Sequence, residues 1–399
     1  MSKTKILRKN ILILLNWIKH RLIKITAFLL VLSFLLPLLI VGDWYLERVI
    51  NASSLLNNLE AKLLEKKRID EEDIKYIREA VEDGYSQFIP PADYDVVREL
   101  SSQMKNKKIG IIGALTNKKI YYCNEGFGLV KYKSDRFGLR NDDKKWDSNI
   151  DAIFIGDSFT HGACVEDNQT ISSVYEQLNR KNSINLGSGG NGSLHYKALA
   201  HLFIPKVNPR SVYLIFYIND MGKDHSTSHN IILDKGNVFF SDEVSLNKPN
   251  EYNEITTYAY NLSELKENYG RDSYKDLVFR IINSISIRAS LPTIRSLLFN
   301  KVAGASLGDA GDAINYAHKM CEEYNCELNI VWIPSSDFWR PNLHKEQFSN
   351  LLNEETKKLN VNFFDATKVI DTSKESDDYG LGGHLSPKGY RKVAELISH

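Results

Sequence analysis

The sequence predicts an α/β fold with a parallel sheet covered by helices on both faces. After residue 148, short continuous apolar runs rich in β-branched residues alternate with longer segments of helical periodicity. Such runs are typical of strands buried on both faces. Strand–helix alternation indicates a parallel sheet with right-handed crossovers. The predicted strands are 150–155, 183–186, 212–218, 328–333 and 361–364, and the predicted helices are 170–178, 194–203, 309–323 and 345–358.

The chain between the third and fourth predicted strands, from 219 to 327, is far longer than one crossover helix requires. We therefore predict an insertion at about 225–307, inside a domain that runs from 148 to 399. Ahead of this domain, residues 105–147 contain short apolar runs separated by turn residues, among them KKIYYC and GLVKYKSDRFGLRN. This pattern predicts a small strand-rich lead-in.

The N-terminal region contains a stretch long and apolar enough to cross a membrane. The eighteen residues 25–42 carry no charge, and as a helix they span about 27 Å, close to the roughly 30 Å hydrocarbon core. A buried core helix is one alternative, but core helices are rarely apolar on every face over this length. A cleaved signal peptide is another, although the stretch is long for its apolar region. We predict an uncleaved transmembrane helix.

The flanking charges set the predicted orientation of this helix. Residues 1–24 contain seven basic residues and no acidic one, whereas Asp43 and Glu47 follow the apolar stretch with one basic residue, Arg48. The positive-inside rule then places the basic N-terminus in the cytoplasm and everything after residue 43 outside it. The prediction is a single-pass protein of the cell membrane whose folded domain is periplasmic or on the outer face.

Residues 43–104 predict a helical stalk or linker. Apolar residues recur at heptad spacing over two heptads, fewer than a coiled coil needs. The stalk therefore either packs on its own chain or pairs with a second copy in a homodimer. A second helix is predicted to begin at Asp70, a good N-cap residue, and to end at Gly84. The heptad positions are Val49, Ala52, Leu56, Leu59 and Leu63.

Composition and charge exclude several classes of function. Lys and Arg total 51 against 50 Asp and Glu, so the formal net charge of +1 gives no basic surplus for nucleic-acid binding. The four cysteines lack the paired spacing of a zinc site, and neither a metal nor an organic cofactor is predicted. Cys321 and Cys326 either form a disulfide in an oxidising exterior or remain thiols. Cys123 and Cys164 are predicted to be free thiols.

The motif GDSFTHG at 156–162 follows a predicted buried strand and places Ser158 on the turn after it. Ligands of open parallel sheets bind at the carboxyl ends of the strands. Ser158 is therefore predicted to face a cleft, with its own backbone N–H directed at a ligand oxygen. A nucleophilic serine also needs a base to accept its proton and donors to hold the oxyanion.

Residues of suitable chemistry follow the other predicted strands. The glycine-rich run 187–192 permits close backbone approach and offers an N–H group. Asn219, after the third strand, offers side-chain NH₂ donors. Near the C-terminus, His384 lies in GGHLSPKGY ahead of a last helix and is the best general-base candidate among ten histidines.

The order and content of these blocks resemble the SGNH (GDSL-type) hydrolase family, whose blocks supply a GDS serine, a glycine, an asparagine and a histidine. The matching residues are Ser158, Gly190, Asn219 and His384, and the resemblance covers roughly residues 130–399. It implies a bacterial member with a three-layer α/β/α flavodoxin-like sheet, and the apolar stretch 25–42 makes the prediction a membrane-anchored one. It also implies ester hydrolysis or acyl transfer through an acyl-serine, with Ser158, Gly190 and Asn219 forming the oxyanion hole.

One position departs from the family pattern. The family usually has an aspartate three residues before the histidine, where this chain has Leu381. Asp378 and Asp377 lie six and seven residues before His384, and the intervening Tyr-Gly-Leu-Gly-Gly is flexible enough for one of them to fold back. We predict that Asp378 orients the His384 ring. Asp377, a backbone carbonyl or no partner at all are the alternatives.

The serine site and the predicted anchor together favour an esterase or O-acyltransferase acting on acyl esters, above all O-acetyl groups, of cell-envelope glycan. One alternative is an inactive SGNH-fold binding or scaffold protein in envelope polysaccharide biosynthesis, which the missing aspartate at 381 supports. A lipase or lysophospholipase is the other alternative, because a membrane anchor also places the site near lipid. No nucleic-acid partner is predicted.

Overall fold

The chain divides into two units, residues 1–60 with 272–303 and residues 61–271 with 304–399. The computed structural model describes residues 75–90, 112–222, 232–234, 237–239, 306–337, 344–373 and 376–398, with residue 257 and scattered helical positions between 21 and 35. In this described part, no helix is both long and apolar enough to cross a membrane. Three predicted segments lie mostly outside it: the span 25–42, the stalk and the insertion at about 225–307.

The lead-in forms a small three-stranded sheet within the larger unit. β1 (Ser86–Gln87) runs parallel to β2 (Lys119–Tyr121), which pairs antiparallel with β3 (Lys131–Lys133). Residues 86–89, predicted to belong to the stalk, are therefore part of the lead-in. A helix covers residues 75–82, and Gly84, at φ +80°, follows its end as predicted. The buried apolar cluster of this sheet comprises Phe88, Ile89, Ala114, Leu115, Ile120, Val130 and Tyr132.

The main sheet has five parallel strands, which lie side by side in the order β10 (Asn362–Asp365), β9 (Glu327–Trp332), β6 (Ser211–Phe216), β4 (Ala152–Ile155) and β5 (Ser183–Asn185). All five predicted strands and the four predicted helices are confirmed to within a few residues at each end. A separate two-stranded sheet is formed by β7 (Ile232–Asp234) and β8 (Asn237–Phe239). The helices are α1 (Ser158–His161), α2 (Ile171–Asn179), α3 (Ser193–Val207), α4 (Asp309–Tyr324), α5 (Lys345–Leu359) and α6 (Pro387–Leu396).

Alternate side chains of β4 pack into two different cores, because successive residues of a strand point to opposite faces. Ile153 and Ile155 join the core formed with α3, α4 and α5, whereas Ala152 and Phe154 join the core formed with α2 and α6. All four residues are completely buried. A strand covered on both faces needs no polar alternation, which explains the continuous apolar run in the sequence.

The strand order creates a topological switch point at the carboxyl ends of β4 and β6. From β4 the chain passes to β5 on one side and then returns across β4 to β6 on the other. The connections that leave these two neighbouring strands therefore diverge and open a crevice between them, which is where open α/β sheets bind ligands. Ser158 follows β4 and Asn219 follows β6.

Arg140, in the segment that leads into the main sheet, fastens the loop after α1. Its guanidinium donates to the carbonyl oxygens of Gly162 at 2.8 Å and Val165 at 2.7 Å, and it pairs with Asp167 at 2.7 Å. The Arg140 side chain is only 3% exposed. Because an arginine bridges several acceptors in one plane, this contact joins the lead-in to the turn that carries Ser158.

Asp135 organises the same segment from the inside. Its carboxylate accepts the backbone N–H groups of Phe137 at 2.8 Å and Leu139 at 2.9 Å, the Asn141 side-chain amide at 2.9 Å and the Trp146 indole N–H at 2.9 Å. Burial outweighs these hydrogen bonds and raises the pKa of Asp135 to about 6. The SDRFGLRN segment is thus a closed turn built around one buried carboxyl group.

Candidate active site

The candidate nucleophile begins α1 at the carboxyl end of β4. Asp157 caps this helix by accepting the backbone N–H of Phe159 at 2.9 Å. Gly156 must be glycine, because a Cβ there would lie 2.0 Å from Thr160 Oγ1. The turn is therefore tightly packed, while Ser158 on it stays partly exposed.

Ser158, His384 and Glu125 form a continuous hydrogen-bonded chain. Ser158 Oγ lies 2.9 Å from His384 Nε2, and His384 Nδ1 lies 2.6 Å from Glu125 Oε1. The backbone N–H of His384 donates to the other carboxylate oxygen, Glu125 Oε2, at 3.0 Å. An ionised carboxylate only accepts hydrogen bonds, so it places the ring proton on Nδ1. The Nε2 atom is then free to accept the proton of Ser158.

Asp378 does not orient His384, and that prediction is wrong. The Asp378 side chain is completely buried, and its Oδ2 accepts the Asp371 backbone N–H at 2.8 Å and the Lys392 ammonium at 2.7 Å. The position we assigned to it, beside Nδ1 of the ring, belongs to Glu125. Turning the Asp378 side chain towards His384 would break its ion pair with Lys392 and leave a buried charge without a partner, which is costly.

Asp377, the alternative orienting acid, also has a different partner. It is exposed and pairs with Lys388 at 2.7 Å. Its backbone carbonyl accepts the Ser386 hydroxyl at 2.6 Å, while the Asp378 carbonyl accepts the Ser386 N–H at 2.9 Å. Both aspartates therefore fix Ser386, the N-cap residue of α6, two positions after the histidine.

The glycines before His384 make room for Glu125. A Cβ on Gly382 would lie 2.0 Å from Glu125 Oε1, and a Cβ on Gly380 would lie 2.8 Å from Glu125 Cβ. The backbone N–H of Leu381 also donates to the Glu125 carbonyl at 3.0 Å. The sequence predicts that these glycines make the segment flexible enough for an aspartate to fold back. In the structure, their missing side chains leave the space that Glu125 occupies.

Replacing Gly382 by alanine is expected to lower kcat about 10²-fold, because the new methyl group displaces the Glu125 carboxylate from His384. The free energy of unfolding should change by less than about 1 kcal/mol, since the displaced atoms end a flexible side chain. Ester hydrolysis and urea unfolding measure the two effects. In a Glu125→Ala background the same substitution should cost no further activity. An equal loss in both backgrounds would contradict this interpretation.

A disulfide joins the segment of Glu125 to the turn of Ser158. Cys123 is bonded to Cys164, and Cys321 is bonded to Cys326. The free thiols predicted for the first pair are therefore wrong, and the open question about the second pair is answered. The four cysteines of the chain are all paired. Cys123 lies two residues before Glu125, so this bond holds the orienting acid close to the nucleophile.

Replacing Cys123 and Cys164 together by serine is expected to lower kcat about tenfold or more, because Glu125 loses its tether and small misplacements are costly. The bond closes a sequence separation of 41 residues, so its loss should also cost about 4 kcal/mol of stability. The matched control replaces Cys321 and Cys326, only five residues apart, and should keep full kcat. A fully active Cys123→Ser, Cys164→Ser protein would refute the tether.

Asn219 is held beside the nucleophile by Asp157. The Asn219 side-chain NH₂ donates to Asp157 Oδ2 at 2.9 Å, and Asn219 itself is exposed. Asp220 braces the same turn, because its Oδ2 accepts the Tyr217 backbone N–H at 2.9 Å. One of the two amide N–H bonds of Asn219 is used for this tether, and the other remains for a ligand.

The glycine loop after β5 packs directly on the turn that carries Ser158. A Cβ on Gly187 would lie 2.3 Å from the backbone nitrogen of His161, and the Ser188 N–H donates to the Gly156 carbonyl at 3.3 Å. Gly190 is exposed and has φ +82°, a conformation that favours glycine. The structure therefore brings residues of all four sequence blocks to one edge of the sheet.

Three residues that could be metal ligands lie close together at this edge, but their bonding fits a serine hydrolase site better than a metal site. Single ligand atoms of Glu125, Cys164 and His384 lie within 4.8 Å of one another. The sulfur of Cys164 is bonded to Cys123 and so offers no thiolate. The carboxylate and the ring nitrogens of the other two are already hydrogen-bonded to each other and to Ser158.

No family model and no curated protein matches the sequence. Among solved structures, a member of the lipolytic protein G-D-S-L family from Veillonella parvula is 12% identical over 62% of this chain and 96% of its own, with a TM-score of 0.33. A family 3 carbohydrate esterase from Clostridium thermocellum is 12% identical over 63% and 94%, with a TM-score of 0.31. A catalytic mutant of an acetylxylan esterase from Geobacillus stearothermophilus is 13% identical over 63% and 93%, with a TM-score of 0.34.

Proposed function

We propose that this protein is a serine esterase of the SGNH type that acts through an acyl-serine intermediate. One observation carries the proposal: Ser158 Oγ, the His384 ring and the Glu125 carboxylate are joined by contacts of 2.9 and 2.6 Å. This arrangement activates a serine hydroxyl at neutral pH, because the base is within reach of the proton and is itself held by a third group.

In the proposed reaction, Ser158 Oγ attacks the acyl carbonyl carbon while His384 Nε2 takes the hydroxyl proton. Glu125 stabilises the imidazolium that forms and keeps its ring in place. The N–H groups of Ser158 and Gly190 and the free amide N–H of Asn219 are the proposed donors to the oxyanion. His384 then returns the proton to the leaving alkoxide. In the second half, His384 accepts a proton from the water that attacks the acyl-serine and then gives it to Ser158 Oγ as the ester bond breaks, which releases the carboxylic acid and restores the hydroxyl group.

The first test of this function is hydrolysis of p-nitrophenyl esters of increasing acyl length. An esterase for small acyl groups should release p-nitrophenol fastest from the acetate, with a burst when acyl-serine hydrolysis is the slow step. A strong preference for long acyl chains would favour the lipase alternative instead. Absence of turnover with every ester, from a folded and oxidised protein, would contradict the proposal.

We further propose that the enzyme is anchored in the cell membrane, with its active site outside the cytoplasm, and acts on O-acyl groups of envelope glycan. The uncharged stretch 25–42 and the basic segment 1–24 support the anchor and its orientation. The two disulfides support an oxidising compartment. An enzyme tethered there meets envelope polymers, and transfer to a glycan hydroxyl differs from hydrolysis only in which nucleophile attacks the acyl-serine.

A C-terminal alkaline phosphatase fusion tests the topology, because that enzyme is active only where its own disulfides form. We expect phosphatase activity from the intact fusion and a mature chain that still contains the basic segment 1–24. A mature N-terminus beyond residue 42 would contradict the anchor. Release of acetate from O-acetylated envelope glycan, but not from the same glycan after alkaline de-acetylation, would support the substrate class.

The alternative of an inactive binding or scaffold protein is less well supported than an active enzyme. It relied on the missing aspartate at Leu381, and Glu125 supplies a carboxylate at the nitrogen that such an aspartate would hold. The hydrogen bond between Ser158 and His384 also has a length suited to proton transfer. We therefore favour an active enzyme over an inactive binding protein.

A further inference from the structure

His161 lies on the same short helix as the nucleophile, is only 2% exposed, and has no part in the reaction proposed above. Its Nδ1 accepts the backbone N–H of Gly189 at 3.4 Å, and its Nε2 lies 3.1 Å from the Tyr132 hydroxyl. Burial, reinforced by the charge of Arg140, holds the pKa of His161 well below its usual range. The ring is therefore neutral, with its proton on Nε2.

The lead-in sheet encloses this ring with aromatic side chains. The His161 ring stacks on Tyr122 with centroids 4.8 Å apart, tilts against Phe88 at 4.7 Å and meets Tyr132 edge-on at 5.5 Å. Tyr122 and Phe88 also pack against Gly189, where an added Cβ would lie 2.6 Å from Tyr122 Oη and 3.1 Å from Phe88 Cε1. The ring and the glycine thus share one closely packed compartment.

We propose that His161 is a positioning residue: it holds the N–H of Gly189 and thereby sets the next peptide group, which carries the Gly190 N–H of the oxyanion hole, against Ser158. The inference rests on the proposed esterase function. The His161 ring accepts the Gly189 N–H, and the His161 backbone packs so closely on Gly187 that a Cβ added there would lie 2.3 Å from the His161 nitrogen. One short helix therefore carries both the nucleophile and the group that fixes the glycine loop facing it.

Two substitutions separate positioning from packing. His161→Phe keeps an aromatic ring of similar size but lacks an acceptor, and we expect kcat to fall about 10²-fold with KM nearly unchanged. His161→Asn leaves a smaller side chain but places Oδ1 near the position of Nδ1, and we expect it to recover most of kcat. The free energy of unfolding should follow the opposite order: His161→Asn should be the less stable variant, because the smaller asparagine side chain leaves a cavity. If His161→Phe is as active as the wild type, or His161→Asn is the less active variant, the proposal is wrong.

The tautomer of His161 gives a test whose readout is not turnover and is made on the wild-type protein, with the variants used only to assign its signals. In the ¹⁵N-histidine-labelled wild-type protein, the His161 signals, identified by their absence in His161→Asn or His161→Phe, should show a proton on Nε2 and none on Nδ1 between pH 5 and 8. A proton on Nδ1 in an active enzyme would overturn this inference alone. The expected tautomer in an inactive wild type would refute the esterase function and leave the contact with Gly189 standing.

Discussion

Replacing Glu125 by glutamine is expected to lower kcat for ester hydrolysis about 10³–10⁴-fold, with little change in KM. Glutamine keeps the size of the side chain, but its NH₂ group donates where the carboxylate accepts. Donation to Nδ1 would place the ring proton of His384 on Nε2, and a protonated Nε2 cannot accept the proton of Ser158. The lost charge also removes the stabilisation of the imidazolium.

The matched control is Asp378→Asn, which alters the carboxylate that the sequence predicts to orient the His384 ring. Asp378 holds Lys392 at 2.7 Å, away from the catalytic ring. We expect kcat within about threefold of the wild type and a stability lower by about 1–3 kcal/mol. Assays at a temperature where both variants are folded separate the two effects. An Asp378→Asn enzyme as inactive as Glu125→Gln would support Asp378 as the acid that orients His384 and contradict that role for Glu125.

Replacing Ser158 by alanine is expected to reduce turnover about 10⁴-fold or more, to the level of the uncatalysed reaction plus residual oxyanion binding. The hydroxyl group contacts His384 at 2.9 Å on a partly exposed turn, so its removal leaves no cavity in the core. Thermal unfolding should therefore match that of the wild type. The p-nitrophenyl acetate assay checks the loss, and substantial remaining turnover would assign the activity to another nucleophile.

The main sheet could be predicted from the sequence because its information is local. β4 is a continuous apolar run, since both of its faces are buried, and it ends in the GDS motif. Ser158, Asn219 and His384 all follow predicted strands or precede a predicted helix, and parallel strands bring their carboxyl ends to one edge. Periodicity and position along the chain were sufficient for these residues.

Glu125 could not be predicted in the same way, because it lies 259 positions from His384 in the chain. It belongs to the lead-in, whose short strands gave no reason to place them over the carboxyl edge of the main sheet. One signal is present in the sequence, but within its own segment it indicates only a flexible backbone. Gly380 and Gly382 leave the space in which the glutamate side chain fits, and a spacing rule within one segment cannot show what fills such a space.

The same limit applies to Cys123 and Cys164. They are 41 residues apart in the sequence, and nothing in that separation indicates that they meet. Once the lead-in is known to cover the Ser158 turn, the disulfide and the Glu125 contact follow together, since Cys123 and Glu125 share one short segment. The lead-in is therefore part of the catalytic unit rather than a connection between the stalk and the enzyme.

A fluorophosphonate probe on the oxidised wild-type protein tests the triad most directly, because it reacts only with a serine whose hydroxyl is activated by its neighbours. Peptide mapping should find the label on Ser158. Labelling should be much slower in Glu125→Gln, nearly unchanged in Asp378→Asn and absent in Ser158→Ala. An unlabelled wild-type protein, or a Glu125→Gln variant labelled as fast as the wild type, would contradict the account.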